Sequence, residues 1–387
     1  LYAGDRRPRR GVGTAVRILV FSWKDINHPW AGGSEVNIHE QARRWVQDGH
    51  QVTMFTTRFQ GMKRHERTDG MDVYRAGGRF TIYLLAPFAY LFLLRHKADV
   101  ILDIINGIPF FTPLYSRKPI VALVHHVHRE MFVIELGSLL GRAGKLVEQY
   151  LVPLLYRRRP FICVSESTAA SMRTNLYKGD SLDIRVIHNG ISQNHYERPK
   201  ITRFESPTVL YLGRLKKYKR LPKLIAMMPE VRERVPGAKL IVVGSGDAGP
   251  DAEEAARIHG VEDCVSFLGF VSEEEKADLY RQSWVLATAS MVEGWGLTVI
   301  EANACGTPAV SYDVPGLNES IVNEKTGRLA TCDDDFVSAL VEILQDESIR
   351  TSLSEGARDW SLGFNWDTTA ARSLSVLAEA LERAQGA

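Results

Sequence analysis

The sequence predicts an α/β protein made of two parallel-sheet units joined by a short linker. Three observations carry that expectation. Short runs rich in Val, Ile and Leu alternate with helical patterns from Arg17 onward, the arrangement that gives a parallel sheet covered on both faces. The 387 residues exceed a single domain of ~150 residues and leave room for two sizeable cores. Between the two series lies a polar span, Ser192 to Pro207, with Pro199 inside it and no apolar period. The boundaries expected are a basic, disordered tail over 1–16, a first unit over 17–195, a linker over 196–207 and a second unit over 208–365.

Residues 1–16 are basic and glycine-rich with no apolar core after them, so no secretory leader is expected. Gly11-Val12-Gly13 precedes the first strand and fails as a dinucleotide fingerprint, which follows one. Arg17–Phe21 is the first strand, and a loop with Gly32-Gly33 leads into a helix from Ser34 to Asp48. Ser34 is the expected N-cap, with glycines ahead of it that bare backbone N–H groups. Further strands are expected near Gln51–Thr56, Asp72–Arg75, Val100–Ile104, Ile120–Val124, Phe161–Val164 and Ile184–Ile187.

Thr81 to Leu94 is the most apolar run. It is shorter than the ~20 residues of a membrane span and is interrupted by Pro87, so a core helix is favoured over one that docks on lipid. Glu130 to Tyr156 is a second, partly amphipathic helical region that ends in Arg157-Arg158-Arg159. Between these runs, Val124-His125-His126-Val127-His128 follows a strand end, where open α/β sheets line their ligand crevice. Three histidines so close suggest a metal site, but no carboxylate-rich partner motif accompanies them, and no metal is expected.

The second unit opens with strand Thr208–Leu212 and a basic loop, Gly213-Arg214-Leu215-Lys216-Lys217-Tyr218-Lys219. Helix Leu221 to Arg234, strand Leu240–Val243 with Gly244-Ser245-Gly246 after it, and strand Val265–Leu268 follow. Ser272 and Glu275 form a capping box for helix Glu273–Gln282. Trp284 to Glu319 then reads as buried strand, glycine loop (Glu293 to Gly296), helix (Leu297 to Cys305) and strand (Ala309 to Ser311). Gly306, Thr307 and Pro308 end that helix. Glu293 and Glu301 bracket the loop at ~12 Å at most by helical rise. That exceeds the about 5–5.5 Å of carboxylates flanking one glycosidic bond, and suits one long ligand touched at two points. The helix N-terminus between them offers N–H groups and a positive dipole end to phosphate. Thr326 to Leu329 is a hairpin or edge element, and helices complete the chain.

Composition excludes some classes. A net charge of +2 argues against a dedicated nucleic-acid binder. Cys163, Cys264, Cys305 and Cys332 form no CxxC pair, and free thiols in a reducing cytoplasm are expected.

Glu293, seven intervening residues and Glu301, followed by Ala302, Gly306, Thr307 and Pro308, resemble the signature of family 4 retaining glycosyltransferases. The resemblance spans about residues 17–385. It implies the GT-B fold, two Rossmann-like domains facing across a cleft, with a last helix (366–385) crossing back to the first. It also implies a nucleotide-diphospho-sugar donor, no cofactor or metal, and a glycan, lipid-linked or small-molecule acceptor. In its terms Arg214 and Lys219 neutralise the diphosphate, N–H groups near Gly296, Leu297 and Thr298 add the helix dipole, and Gly294 and Trp295 are donor-binding with them. Glu293 holds donor-sugar hydroxyls and Glu301 the ribose. His125 contacts the sugar, though His126 stands where an aspartate is often found, which leaves the choice between the two open. Gly32 and Gly33 lie near the diphosphate or acceptor, Gly244 approaches the donor, and backbone near Val271 holds the base. Arg220 replaces the glycine usual after the lysine, which puts that turn in doubt. Rival readings are a nucleotide-sugar epimerase and an inactive sugar-nucleotide-binding subunit. Apolar surface beside positive charge in the first unit adds peripheral contact with the inner face of a membrane as a partner reading.

Overall fold

The computed structural model describes residues 15–129, 131–177, 181–196 and 202–386. The expected tail (1–16) lies outside the described residues but for its last two, as do Glu130 and residues 197–201 of the expected linker.

Two sheets form. The first holds β1 (Arg17–Phe21), β2 (Gln51–Thr56), β3 (His65–Thr68), β4 (Met71–Arg75), β5 (Val100–Ile105), β6 (Ile120–Val124), β7 (Phe161–Cys163) and β8 (Ile184–Val186), in the order β3-β4-β2-β1-β5-β6-β7-β8. All its pairings are parallel except β3 with β4. The second holds β9 (Thr208–Leu212), β10 (Lys239–Val243), β11 (Val265–Gly269), β12 (Val285–Thr288), β13 (Ala309–Tyr312) and β14 (Gly327–Ala330), in the order β11-β10-β9-β12-β13-β14, all parallel. Each chain path winds to one side and then returns to the other, reversing between β1 and β5 and again between β9 and β12. Crevices open beyond the carboxyl ends of strands at such reversals.

The helices of the first unit are α1 (Gly33–Gln47), α2 (Thr81–Ala89), α3 (Met131–Leu136), α4 (Ser138–Leu146), α5 (Val152–Tyr156), α6 (Glu166–Ser171) and α7 (Gln193–Tyr196). Those of the second are α8 (Leu221–Arg234), α9 (Gly249–Ile258), α10 (Glu273–Gln282), α11 (Leu297–Ala304), α12 (Leu317–Ser320), α13 (Asp333–Gln345), α14 (Glu347–Ser361) and α15 (Trp366–Gln385). Period-two alternation along β1 separates two cores. Ile18 and Val20 pack with Ile38, Trp45 and Leu377 from α1 and α15, whereas Leu19 and Phe21 pack with Ile82, Ala86, Val152 and Tyr156 from α2 and α5. The last helix thus crosses back onto the first sheet, where the Trp45 indole N–H donates to Ala370 O at 2.9 Å.

Several expectations change. The N-cap of α1 is Gly32, not Ser34, because Glu35 reaches back to accept the Gly32 N–H at 2.7 Å. Pro87 does not interrupt its helix: α2 runs through it and continues as a π-helical turn, Tyr90–Leu94. Nor is this run a core helix, since only Ile82, Ala86, Tyr90 and Leu94 are buried, Tyr83 is half-buried against Phe110, and every other leucine and phenylalanine of the run is exposed. Strand β3 was not expected, because HERT carries no apolar alternation. The Arg220 turn is kept with the arginine itself left-handed, φ 50° and ψ 37°, at a cost of about 1–2 kcal/mol. Its Nε bond to Ala289 O (2.7 Å) and its guanidinium over Tyr312 (4.7 Å) offset that strain. Cys163, Cys264 and Cys305 are buried free thiols, and Cys332 is exposed.

Candidate active site

The cleft side of the second unit is built from the loops after β9 and β12. After β9 the chain passes Arg214, makes a short turn at Lys217–Lys219 and enters α8 through Arg220. Lys219 Nζ and Ser290 Oγ both donate to Glu293 Oε1, the latter at 2.8 Å. Burial alone would lower the Lys219 pKa, but the Glu293 carboxylate outweighs it and the pKa is raised. The Met291 N–H donates to Tyr218 O at 2.9 Å, so the basic loop and the glutamate loop are stitched into one surface.

Glycines make the close approaches. A Cβ on Gly294 would stand 2.7 Å from His125 O, and one on Gly316 2.1 Å from Glu293 O. Gly296 caps α11 in the left-handed region, φ 72°, which glycine adopts without strain. Trp295 is buried and stacks on His188 of the first unit at 4.0 Å. Gly244 also permits a close approach, but to the neighbouring strand end: its Cβ would lie 2.0 Å from Gly213 O.

The opposite wall comes from the loops after β1 and β6. Gly32 faces Arg214, whose Nε would be 3.2 Å from an added Cβ, and Gly33 faces Leu297 at 3.9 Å. A buried network that sequence reasoning missed holds this loop. Lys24 Nζ donates to Trp30 O (2.5 Å) and pairs with Glu35 (3.2 Å). Ser34 Oγ donates to Glu35 Oε1 (2.9 Å) and accepts from Asn106 Nδ2 (3.1 Å). Burial, then the charge of Arg214 against the pull of Glu35, lowers the Lys24 pKa. A buried lysine seven residues after β1 begins, with a glutamate behind the glycine pair, is the only trace of this in sequence.

His125 is buried, and neither ring nitrogen has a protein partner. Burial, with His128 adding to it, depresses its pKa to about 3. His126 is half-buried; desolvation first, then His125, Arg214 and Lys219, lower it to about 3. Arg214 and Lys219 thus act on His126 from the other wall. The rings of His126 and His128 stack at 3.9 Å. Among the described residues no three His, Cys, Asp or Glu side chains are grouped to hold a metal.

Glu301 sits away from this cluster. Its carboxylate accepts from Tyr280 Oη at 2.9 Å and Lys276 Nζ at 3.3 Å, both on α10, and Val271 lies just before that helix. The signature residues therefore fall into two groups. Arg214, Lys219, Glu293, His125, Gly32 and Gly33 converge across the cleft, while Glu301 and Val271 lie on the α10 side. Lys276 and Tyr280 were not anticipated, since one sequence cannot show which side chains of a capped helix turn toward α11.

The cleft is also bridged directly. Glu319 accepts the N–H groups of Glu166 (2.7 Å) and Ser167 (2.6 Å) at the start of α6, and Lys216 pairs with Glu135 at 3.2 Å.

Two family models divide the chain. Residues 31–195 match glycosyltransferase family 4 and residues 195–360 match glycosyl transferases group 1. An uncharacterised glycosyltransferase of Methanocaldococcus jannaschii is 26% identical over 381 residues, 91% of this chain and 95% of that protein. A GDP-mannose-dependent alpha-(1-6)-phosphatidylinositol monomannoside mannosyltransferase of Mycobacterium tuberculosis is 33% identical over 45% of this chain and 48% of its own length. Among solved structures, sucrose-phosphate synthase from Thermosynechococcus elongatus superposes with a TM-score of 0.79 at 20% identity, covering 95% of this chain and 99% of that one.

Proposed function

Since the chain belongs to the family 4 glycosyltransferases of GT-B fold, we propose that it is a retaining, metal-independent hexosyltransferase that uses a UDP- or GDP-linked sugar. The observation that carries this reading is the convergence of Arg214 and the Lys219–Glu293 pair on the Gly32-Gly33 loop and the histidine loop across one cleft.

A diphosphate leaving group departs with growing negative charge, and preorganised cations are worth most where water is scarce. Arg214 and Lys219 supply that charge, and the N–H groups from Gly296 to Thr298 add the helix end. Glu293, held by Lys219 and Ser290, accepts from donor-sugar hydroxyls. Glu301, with Lys276 and Tyr280 behind it, accepts from the ribose, and backbone near Val271 meets the base. His125, uncharged and without a partner, is free to bond a sugar hydroxyl. The bond from the anomeric carbon to the diphosphate breaks while the acceptor oxygen bonds on the same face. The acceptor proton passes to the departing phosphate, so no protein base, metal or cofactor is needed. The acceptor is a hydroxyl on a glycan, lipid-linked or small molecule presented by the first unit. The name of the mycobacterial relative, a GDP-mannose-dependent mannosyltransferase of phosphatidylinositol monomannoside, supports a lipid-linked one.

The test is a panel of UDP- and GDP-sugars with and without a chelator, scoring nucleotide release, transfer and epimerisation separately. Chelator-resistant transfer with the donor's anomeric configuration kept is expected. Epimerisation without transfer, or binding without turnover across the panel, would overturn the reading.

A further inference from the structure

The first unit exposes a two-part apolar face. Along α2 and the turn after it, Ile82, Ala86, Tyr90 and Leu94 form a buried i, i+4 stripe, and the opposite side is apolar too. Leu84, Phe88 and Phe92 are 72%, 62% and 84% exposed. The same holds from α4 to α5, where Leu139 is 81% exposed and Tyr150 and Leu154 also stand in solvent while Val152 and Tyr156 are buried. Both segments lay their buried stripes on one core, that of Leu19 and Phe21. They therefore cover the same face of the sheet, opposite α1 and α15, and their outward sides point the same way.

Charge selects the occupant. Residues 79–97 and 138–160 together hold eight Lys and Arg and one acid, Glu148, whereas the whole chain is only +2. Glu148 is buried, its carboxylate accepting the N–H groups of His128 (2.7 Å) and Arg129 (2.8 Å). Arg79, Arg95, Arg142, Arg157 and Arg158 are exposed around the apolar side chains. A two-fold contact between copies would set this basic set against itself, whereas an anionic lipid surface complements both parts at once. No described helix is long and apolar enough to cross a membrane. The face also reaches the cleft. Arg79 at the head of α2 lies over Trp23, next to Lys24, and α3 follows the histidine loop and pairs with Lys216 through Glu135.

We infer that this face is a docking surface for an anionic bilayer, seated through α2 and the α4–α5 segment, and that the acceptor hydroxyl belongs to a lipid of the same leaflet. The acceptor part rests on the transferase reading; the docking part stands on the surface alone.

Sedimentation of the full chain with vesicles of phosphatidylcholine alone, and of phosphatidylcholine mixed with phosphatidylglycerol, tests it in the absence of donor. Wild type is expected to pellet with the mixed vesicles and to be released by salt. Leu84→Ser with Phe92→Ser, and separately Arg157→Glu with Arg158→Glu, are expected to weaken binding on the order of tenfold or more. Ile258→Ser, an exposed apolar site on the second unit, should leave it unchanged. Equal pelleting with both vesicle types, none with either, or an oligomer dissolved by Phe92→Ser would overturn docking. Nucleotide release measured without vesicles keeps the two readings apart. A chain that pellets but releases no nucleotide from any donor sinks the transferase reading alone.

Discussion

The two units share one winding scheme but finish their surfaces in opposite ways. Among the described residues, sixteen large apolar side chains stand exposed before residue 160 and only five after it. The cleft walls differ as well. The second unit offers charged groups, Arg214, Lys219 and Glu293, stitched together by hydrogen bonds. The first offers the glycine backbone of Gly32 and Gly33 and three histidines whose pKa values burial lowers. One half is built to take charge, the other to take contact without charge.

The charged wall gives the largest expected effect. Arg214→Ala and Lys219→Ala should each lower kcat/KM by ~10²-fold or more, as when an electrostatic donor is lost. Their effects on folding should differ. Arg214 is exposed, so its truncation should change stability by no more than ~0.5 kcal/mol. Lys219 is largely enclosed against Glu293, and its loss strands a carboxylate, costing about 1–3 kcal/mol. Steady-state kinetics and urea unfolding of both variants check this. Near-wild-type turnover in either would break the division between the walls.

A middle-sized effect separates the two glutamates. Glu301→Gln should weaken binding of the bare nucleoside diphosphate about tenfold, the scale of one charge-assisted hydrogen bond. Glu293→Gln should leave that affinity near wild type and lower turnover of the intact donor. The motive is that Glu301 is held by α10, apart from the Lys219–Glu293 pair. Titration calorimetry decides it, and equal losses in both variants would show that the two groups do not mark two ends of one ligand.

The charged wall was more legible in sequence than the uncharged one, for a physical reason. Strand Thr208–Leu212, helix Leu221–Arg234 and the Ser272 capping box fall where local pattern places them, because each is specified by neighbours in the chain. The Glu293–Glu301 spacing is likewise local. What holds the Gly32 loop is less so: Lys24 and Glu35 meet across the whole loop, and Asn106 joins Ser34 only after β1 and β5 pair. The apolar face failed for a related reason. Hydropathy marks Thr81 to Leu94 as apolar on every side, but which side stays uncovered depends on the sheet beneath and on the absence of another layer among the described residues. Arg220 shows the converse, a residue that conflicts with its local turn and is held there by Ala289 and Tyr312.

The smallest expected effect tests the uncharged wall through acid. His125 has a folded pKa of about 3, below the 6.5 of an unperturbed histidine, first because of burial and then because of His128. Between those values the unfolded chain binds a proton at this position and the folded chain does not. Stability therefore rises with pH across that window and is lost as pH falls from about 6.5 toward 3. His126 behaves in the same sense, whereas Glu148, raised by burial to about 7, opposes it by favouring the protonated folded form below that pH. His125→Asn removes one titrating group and keeps a polar side chain of similar reach. Urea unfolding between pH 4 and pH 7 should then show a slope of stability against pH smaller by about one proton than in wild type. The two proteins should run parallel above pH 7, where the histidine is neutral in both states. An unchanged slope would mean that His125 accepts a proton in the folded cleft, and the first wall would then carry charge like the second.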